Sequence, residues 1–190
     1  MKKILTITKW LLLLLLIAAT SLYFFQDIES KALTPETRQM LGGDYLKTDQ
    51  GTIHYQLEGD ENAELVVLVH GFGVASYLWE PTYQFLLKQG YRVLRFDLFG
   101  TGFSDRPDVS YTLELYSTQI NDLLNGLAIT KPIHLIGLSM GGPIVTRFTH
   151  QNPHKVHSLI LQDPLVNQLD VEKSSPWICL VWASIFLRSI

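Results

Sequence analysis

Leu65-Val66-Val67-Leu68-Val69 is an unbroken apolar run, with no polar side to offer water. A strand with one wet face alternates in character, whereas a strand buried on both faces does not. The run therefore demands cover above and below, which a mostly parallel sheet with flanking helices supplies. The segments around it agree. Asp44–Thr48 and Thr52–Glu58, joined through Asp49-Gln50-Gly51, read as a hairpin. Tyr77–Lys88 has helical spacing and stops near Gly90, and Tyr91–Asp97 reads as a strand. Tyr111–Leu127 predicts a helix with Leu113, Tyr116, Ile120, Leu123, Leu124 and Leu127 on one stripe. Ile133–Leu138 then predicts a strand, Met140–Gln151 a helix and Val156–Gln162 a strand. A hairpin followed by alternating strands and helices belongs to the α/β class.

Composition narrows what such a chain can do. With 190 residues, 47% hydrophobic and 17% charged, it suits one domain and excludes a disordered chain. A formal net charge of −3 argues against nucleic acid as a partner, because phosphate binding needs a basic face. Cys179 stands alone, so no internal disulfide is possible. No metal site or cofactor is expected; His150-x-x-x-His154 reads as a solvated helix end.

The charge is unevenly spread. Residues 1–26 carry Lys2, Lys3 and Lys9 and no acid, leaving 12 of the 15 basic side chains against all 18 acidic ones. From Trp10 to Phe25 there is no charge, and Lys9 can snorkel, extending the apolar stretch back to Ile4. About 20 such residues cross a bilayer as a helix. Lysines precede the stretch and Asp27 and Glu29 follow it. An uncleaved anchor with a cytoplasmic N-terminus is therefore expected, with the core on the extracytoplasmic side. The alternative is a cleaved signal segment and secretion, with Ala18, Ala19 and Ser21 as its small residues. Residues 27–43 read as a polar tether, with Pro35 and Gly42-Gly43 as breakers.

Chemistry concentrates between the strand Ile133–Leu138 and the helix after it. Gly137-Leu138-Ser139-Met140-Gly141 is G-x-S-x-G in the order apolar strand, tight turn, helix. A serine on so sharp a turn stands clear of the sheet edge, and Cβ atoms at the flanking glycines would collide with neighbouring backbone. The helix start directs N–H groups at the reacting centre, making the Met140 amide a candidate oxyanion donor. His70-Gly71-Phe72-Gly73 closes the strand Leu65–Val69, at the edge where parallel sheets bind ligands. Its glycines permit close approach to Ser139, and the Phe72 amide is the second candidate donor.

These residues resemble the α/β-hydrolase family, in its large esterase and lipase group. His70–Gly73 is similar to that group's oxyanion loop, and Gly137–Gly142 to its nucleophile elbow. Asp97-Leu-Phe-Gly-Thr-Gly-Phe-Ser-Asp-Arg-Pro107 is similar to its D-x-x-G-x-G-x-S-x-x-P signature. Leu161–Pro164 resembles the end of the strand beyond. The resemblance spans roughly residues 44–165 and is strongest to membrane-anchored monoacylglycerol lipase-like and bacterial lipase-like esterases. It implies a serine ester hydrolase acting on lipophilic esters, with Ser139 as nucleophile. Carbon–carbon hydrolysis and acyl transfer occur on the same fold and stay open. Oligomeric state also stays open.

The same family orders its triad as serine, acid, histidine. Only 51 residues follow Ser139, and none after His157 is a histidine. His134, His150, His154 and His157 are expected at the opposite sheet edge. Asp163 is a candidate acid, although a turn-shaping role before Pro164 suits it too. Asp97 and Asp105 are expected to structure their loop. Residues 166–190, with the apolar Trp177–Leu187, resemble the start of a lid. The chain thus reads as the N-terminal part of a longer hydrolase, or as a non-catalytic binding module of the same fold.

Overall fold

The computed structural model describes residues 2–25 and 33–165, with side chains over 8–22 and 33–165. It divides into two units, Met1–Thr37 and Arg38–Ile190.

In the first unit the apolar stretch is a helix, α1 (Lys2–Phe25). The side chains described on it, from Thr8 to Leu22, are exposed. Among the described residues no helix is long and apolar enough to cross a membrane. The segment read as an open tether contains a second helix, α2 (Pro35–Leu41). Pro35 starts this helix instead of breaking one, since the missing N–H costs nothing at the first helical position. Thr34 Oγ1 accepts from the Thr37 N–H at 3.3 Å and caps it. The rest of the expected tether, 27–32, and the lid-like stretch 166–190 lie outside the described residues.

The second unit is built on six strands: β1 (Asp44–Thr48), β2 (Gly51–Glu58), β3 (Leu65–Val69), β4 (Arg92–Phe96), β5 (Ile133–Leu138) and β6 (Val156–Gln162). Their order in the sheet is β1-β2-β4-β3-β5-β6. The hairpin strands pair antiparallel, β2 also runs antiparallel to β4, and β3 to β6 are parallel. Val67, Val69, Leu94 and Phe96 face one way, packing with residues of α4 (Leu113–Gly126) and α5 (Gly141–Gln151). Val66, Leu68 and Val93 face the other way, against Trp79 and Tyr83 of the chain leading through α3 (Glu80–Lys88). Each fully buried Val, Leu or Phe side chain contributes about 1.5–3 kcal/mol. The apolar run of β3 is thus buried on both faces, every residue of it.

Helix starts fall later than the apolar spacing implies. Tyr77–Lys88 divides into a 3-10 turn, Ser76–Trp79, and α3. Pro81 explains the break, because it has no N–H to return to Tyr77. α4 begins at Leu113, where Thr112 Oγ1 accepts from the Leu115 N–H at 3.2 Å.

Candidate active site

Ser139 sits at the end of β5 with φ of +50°, a left-handed conformation that a side chain adopts only when its surroundings impose it. Backbone bonds hold it there. Its N–H donates to Gln162 O at 3.0 Å, and its carbonyl accepts from Gly142 N at 2.9 Å and Leu165 N at 3.0 Å. The glycines around it are required by contact. A Cβ on Gly137 would stand 2.6 Å from Gly141 O, and one on Gly141 would stand 2.5 Å from Val69 O and 2.7 Å from His70 O. G-x-S-x-G is therefore the spacing that lets β5, the turn and α5 close against the end of β3.

The loop after β3 meets the serine directly. A Cβ on Gly71 would lie 3.0 Å from Ser139 Cβ and 3.6 Å from its Oγ. Gly71 is buried, Phe72 half-buried and Gly73 exposed with φ of +72°. Met140 caps the start of α5, where the first turn's amides lack intrahelical acceptors. Ser139, Gly71 and the start of α5 come together at the ends of β3 and β5.

His70 is fully buried, and both its ring nitrogens are engaged. Nδ1 bonds to Gly71 O at 2.7 Å, while Nε2 accepts from the Leu98 N–H at 3.0 Å and lies 3.2 Å from Thr101 Oγ1. Burial pushes its pKa below the ordinary 6.5, and the Gly71 bond offsets only part of that. A neutral ring with both nitrogens occupied is a structural clamp and not a base for Ser139.

A second cluster stands at the same sheet edge, two strands over. Asp97 Oδ2 accepts from His54 Nδ1 and the Phe103 N–H, each at 2.8 Å, and Oδ1 accepts from the Ser76 N–H at 2.8 Å. Burial alone would raise the Asp97 pKa; these bonds outweigh it and hold it at about 2. Ser104 Oγ donates to Asp97 O at 2.6 Å and accepts from the His54 N–H at 3.0 Å. A Cβ on Gly102 would stand 2.1 Å from Asp97 Oδ2. The D-x-x-G-x-G-x-S signature is thereby explained as a carboxylate folding its own loop around itself. Asp105 accepts from the Thr52 N–H at 2.7 Å and pairs with Arg38. Both aspartates structure the loop, as their positions suggested.

Two contributors were not legible as such. Gln119, fully buried on the apolar stripe of α4, donates to Asp97 O at 2.9 Å and accepts from the Phe99 N–H at 3.1 Å. A polar residue at a stripe position was the available signal. Arg38, on α2, also lies over the Tyr45 ring at 5.1 Å.

The remaining histidines are elsewhere. His134 pairs with Ser158 Oγ at 2.7 Å, near the start of β5 and β6, and His157 stacks edge-on against it at 4.9 Å. His54 is on β2, separated from β5 by β4 and β3. Asp163 is exposed with φ of +43° directly after β6. That turn carries Pro164 to Gly142, where a Cβ would meet it at 2.7 Å, and Leu165 to Ser139.

An apolar strand ending in a serine elbow, beside a glycine loop from the strand next to it, is the geometry that decides the family. Residues 64–178 match the alpha/beta hydrolase fold. The chain belongs to this family. A carboxylesterase of the thaumarchaeon Nitrososphaera gargenis is 29% identical with a TM-score of 0.64, over 68% of this chain and 50% of that one. The meta-cleavage product hydrolase of Pseudomonas fluorescens is 27% identical with a TM-score of 0.60, over 64% of this chain and 45% of that one. A haloalkane dehalogenase of Agrobacterium fabrum is 29% identical over 58% of this chain and 36% of its own length. The first two curated relatives are spanned over only 41% and 28% of their own lengths. Hydrolases of several chemistries thus share this α/β-hydrolase core.

Proposed function

We propose that the chain carries the nucleophile half of a serine hydrolase acting on lipophilic carboxylic esters. Ser139 attacks the ester carbonyl, and the amides of Phe72 and Met140 stabilise the oxyanion that forms. The observation that carries this reading is the left-handed Ser139 pressed against Gly71, with a Cβ-to-Cβ spacing of 3.0 Å were Gly71 an alanine. A hydroxyl at the elbow favours acyl transfer over haloalkane or epoxide chemistry, which needs a carboxylate nucleophile. Asp163 is the acid candidate at the same edge, and His70, the described histidine on the loop beside Ser139, has both ring nitrogens engaged.

That last observation favours a second reading, in which this chain alone is a non-catalytic module. Hydrolysis of p-nitrophenyl esters separates the two. A version extended at its C-terminus to the relatives' length should turn over acyl esters and lose all activity with Ser139→Ala. Turnover surviving Ser139→Ala would overturn the proposal, while a stable, inert extended chain supports the module reading.

We also propose that α1 holds the protein at a membrane, as a lipase-like esterase attached beside its substrate. The uncharged Trp10–Phe25 within a helix that begins at Lys2 supports this. Sedimentation with phosphatidylcholine vesicles, resistant to high salt and alkaline wash, is the expected result. Release of the chain by alkaline wash would contradict it.

A further inference from the structure

We infer that His70 is a positioning residue for the oxyanion site: its ring sets the direction in which the Phe72 N–H points. The inference rests on the reading of that amide as an oxyanion donor. Its physical basis is the planarity of the peptide bond. Gly71 C=O and Phe72 N–H belong to one trans peptide unit and point in opposite directions. Whatever fixes the carbonyl therefore fixes the amide.

His70 fixes the carbonyl. Its Nε2 accepts from the Leu98 N–H at 3.0 Å, so the ring proton resides on Nδ1. Nδ1 then donates to Gly71 O at 2.7 Å. The ring is fully buried and neutral, and it cannot turn without losing both bonds. Thr101 Oγ1, 3.2 Å from Nε2 and bonded to Leu98 O at 2.7 Å, braces the Leu98 turn in its place. With Gly71 O turned towards the imidazole, the Phe72 N–H projects away from it. Glycine at 71 is needed for the peptide to pass Ser139, and glycine is also the residue least able to hold a peptide orientation unaided. An imidazole clamp supplies what Gly71 lacks. The Leu98 turn is in turn part of the loop that Asp97 organises, so the clamp ties the oxyanion loop to that second cluster.

The test uses the full ¹⁵N-labelled chain in detergent micelles. A multiple-bond ¹H–¹⁵N spectrum should show His70 protonated on Nδ1. Residual dipolar couplings should then report the Phe72 N–H direction in His70→Asn and His70→Gln. Asparagine keeps a donor near the Nδ1 position, and glutamine reaches the Nε2 position instead. Wild type and H70N should share the Phe72 coupling. H70Q should shift it beyond experimental error while the couplings of β3 and β5 stay unchanged. An unchanged Phe72 coupling in H70Q would overturn the inference. So would a wild-type ring protonated on Nε2, which decides the matter even if H70Q fails to fold. Neither readout needs turnover, so absent ester hydrolysis would count against the proposed function alone.

Discussion

The serine elbow and the Asp97 cluster stand at the same edge of the sheet and are held by opposite means. Around Ser139 the restraints are backbone hydrogen bonds and glycine contacts, with Gln162 O, Gly142 N and Leu165 N as partners. Around Asp97 they are side chains: a carboxylate, an imidazole, a serine and a glutamine. The contrast follows from what each must do. On the proposed role of Ser139, its hydroxyl needs its surroundings vacated for substrate, and its position comes from tightly packed main chain. A supporting loop has no such need and can fill its centre with polar groups that bond one another. His70 belongs to both regimes, with one nitrogen on each loop.

Substitutions can break this comparison on either side. The largest effect is expected for Gly141→Ala, whose Cβ would meet two backbone carbonyls, at 2.5 and 2.7 Å. Neither can yield without moving β3, so a loss of about 3 kcal/mol or more is expected in urea denaturation. Asp97→Asn comes next. The ionised carboxylate contributes about 2 kcal/mol, from a pKa of about 2 against an ordinary 3.8. Because the folded-state pKa is the lower one, this stability is complete above about pH 4 and lost as pH falls towards 2. The deficit of D97N relative to wild type should therefore be full at pH 7 and shrink below pH 4. A deficit independent of pH would show that packing, not charge, makes the cluster.

His70 gives a pH dependence at a different place. A buried neutral imidazole binds no proton while the unfolded chain does, so its contribution falls as pH drops below 6.5. Replacing it with asparagine should flatten the stability profile below pH 6.5 relative to wild type. Gly71→Ala should cost about 1–2 kcal/mol, since its Cβ would lie 3.0 Å from Ser139 Cβ and 3.2 Å from the Leu138 carbonyl, both placed by the main chain. The smallest effect belongs to Arg38→Gln. Its partner Asp105 is one-third exposed, so the loss should stay near or below about 1 kcal/mol and diminish in salt.

β3 was legible because burial on both faces leaves an unbroken apolar run, whereas β5 alternates between buried and half-buried residues and β6 has none fully buried. β3, β5 and β6 begin and end where the residues implied. Helix starts were less so, because the caps at Thr112 and the proline at 81 act on single backbone groups that periodicity does not register. The elbow was legible from Gly137 and Gly141, whose reason is local. The Asp97 cluster was legible only as a signature. Ser104 lies within that signature, but His54, Ser76 and Gln119 reach Asp97 from three other segments, and spacing along a chain carries no trace of such a meeting. The turn at Asp163 falls between these cases: its proline was visible, but its left-handed backbone and its hold on Ser139 were not.

The most direct test of Ser139 as the reacting group is peptide mapping after treatment with a fluorophosphonate. The chain extended to the relatives' length should carry a single phosphonyl group, on the peptide containing Gly137–Gly141, and none after Ser139→Ala. A folded extended chain that stays unmodified, or is modified at another residue, would contradict the assignment of the elbow as the active site.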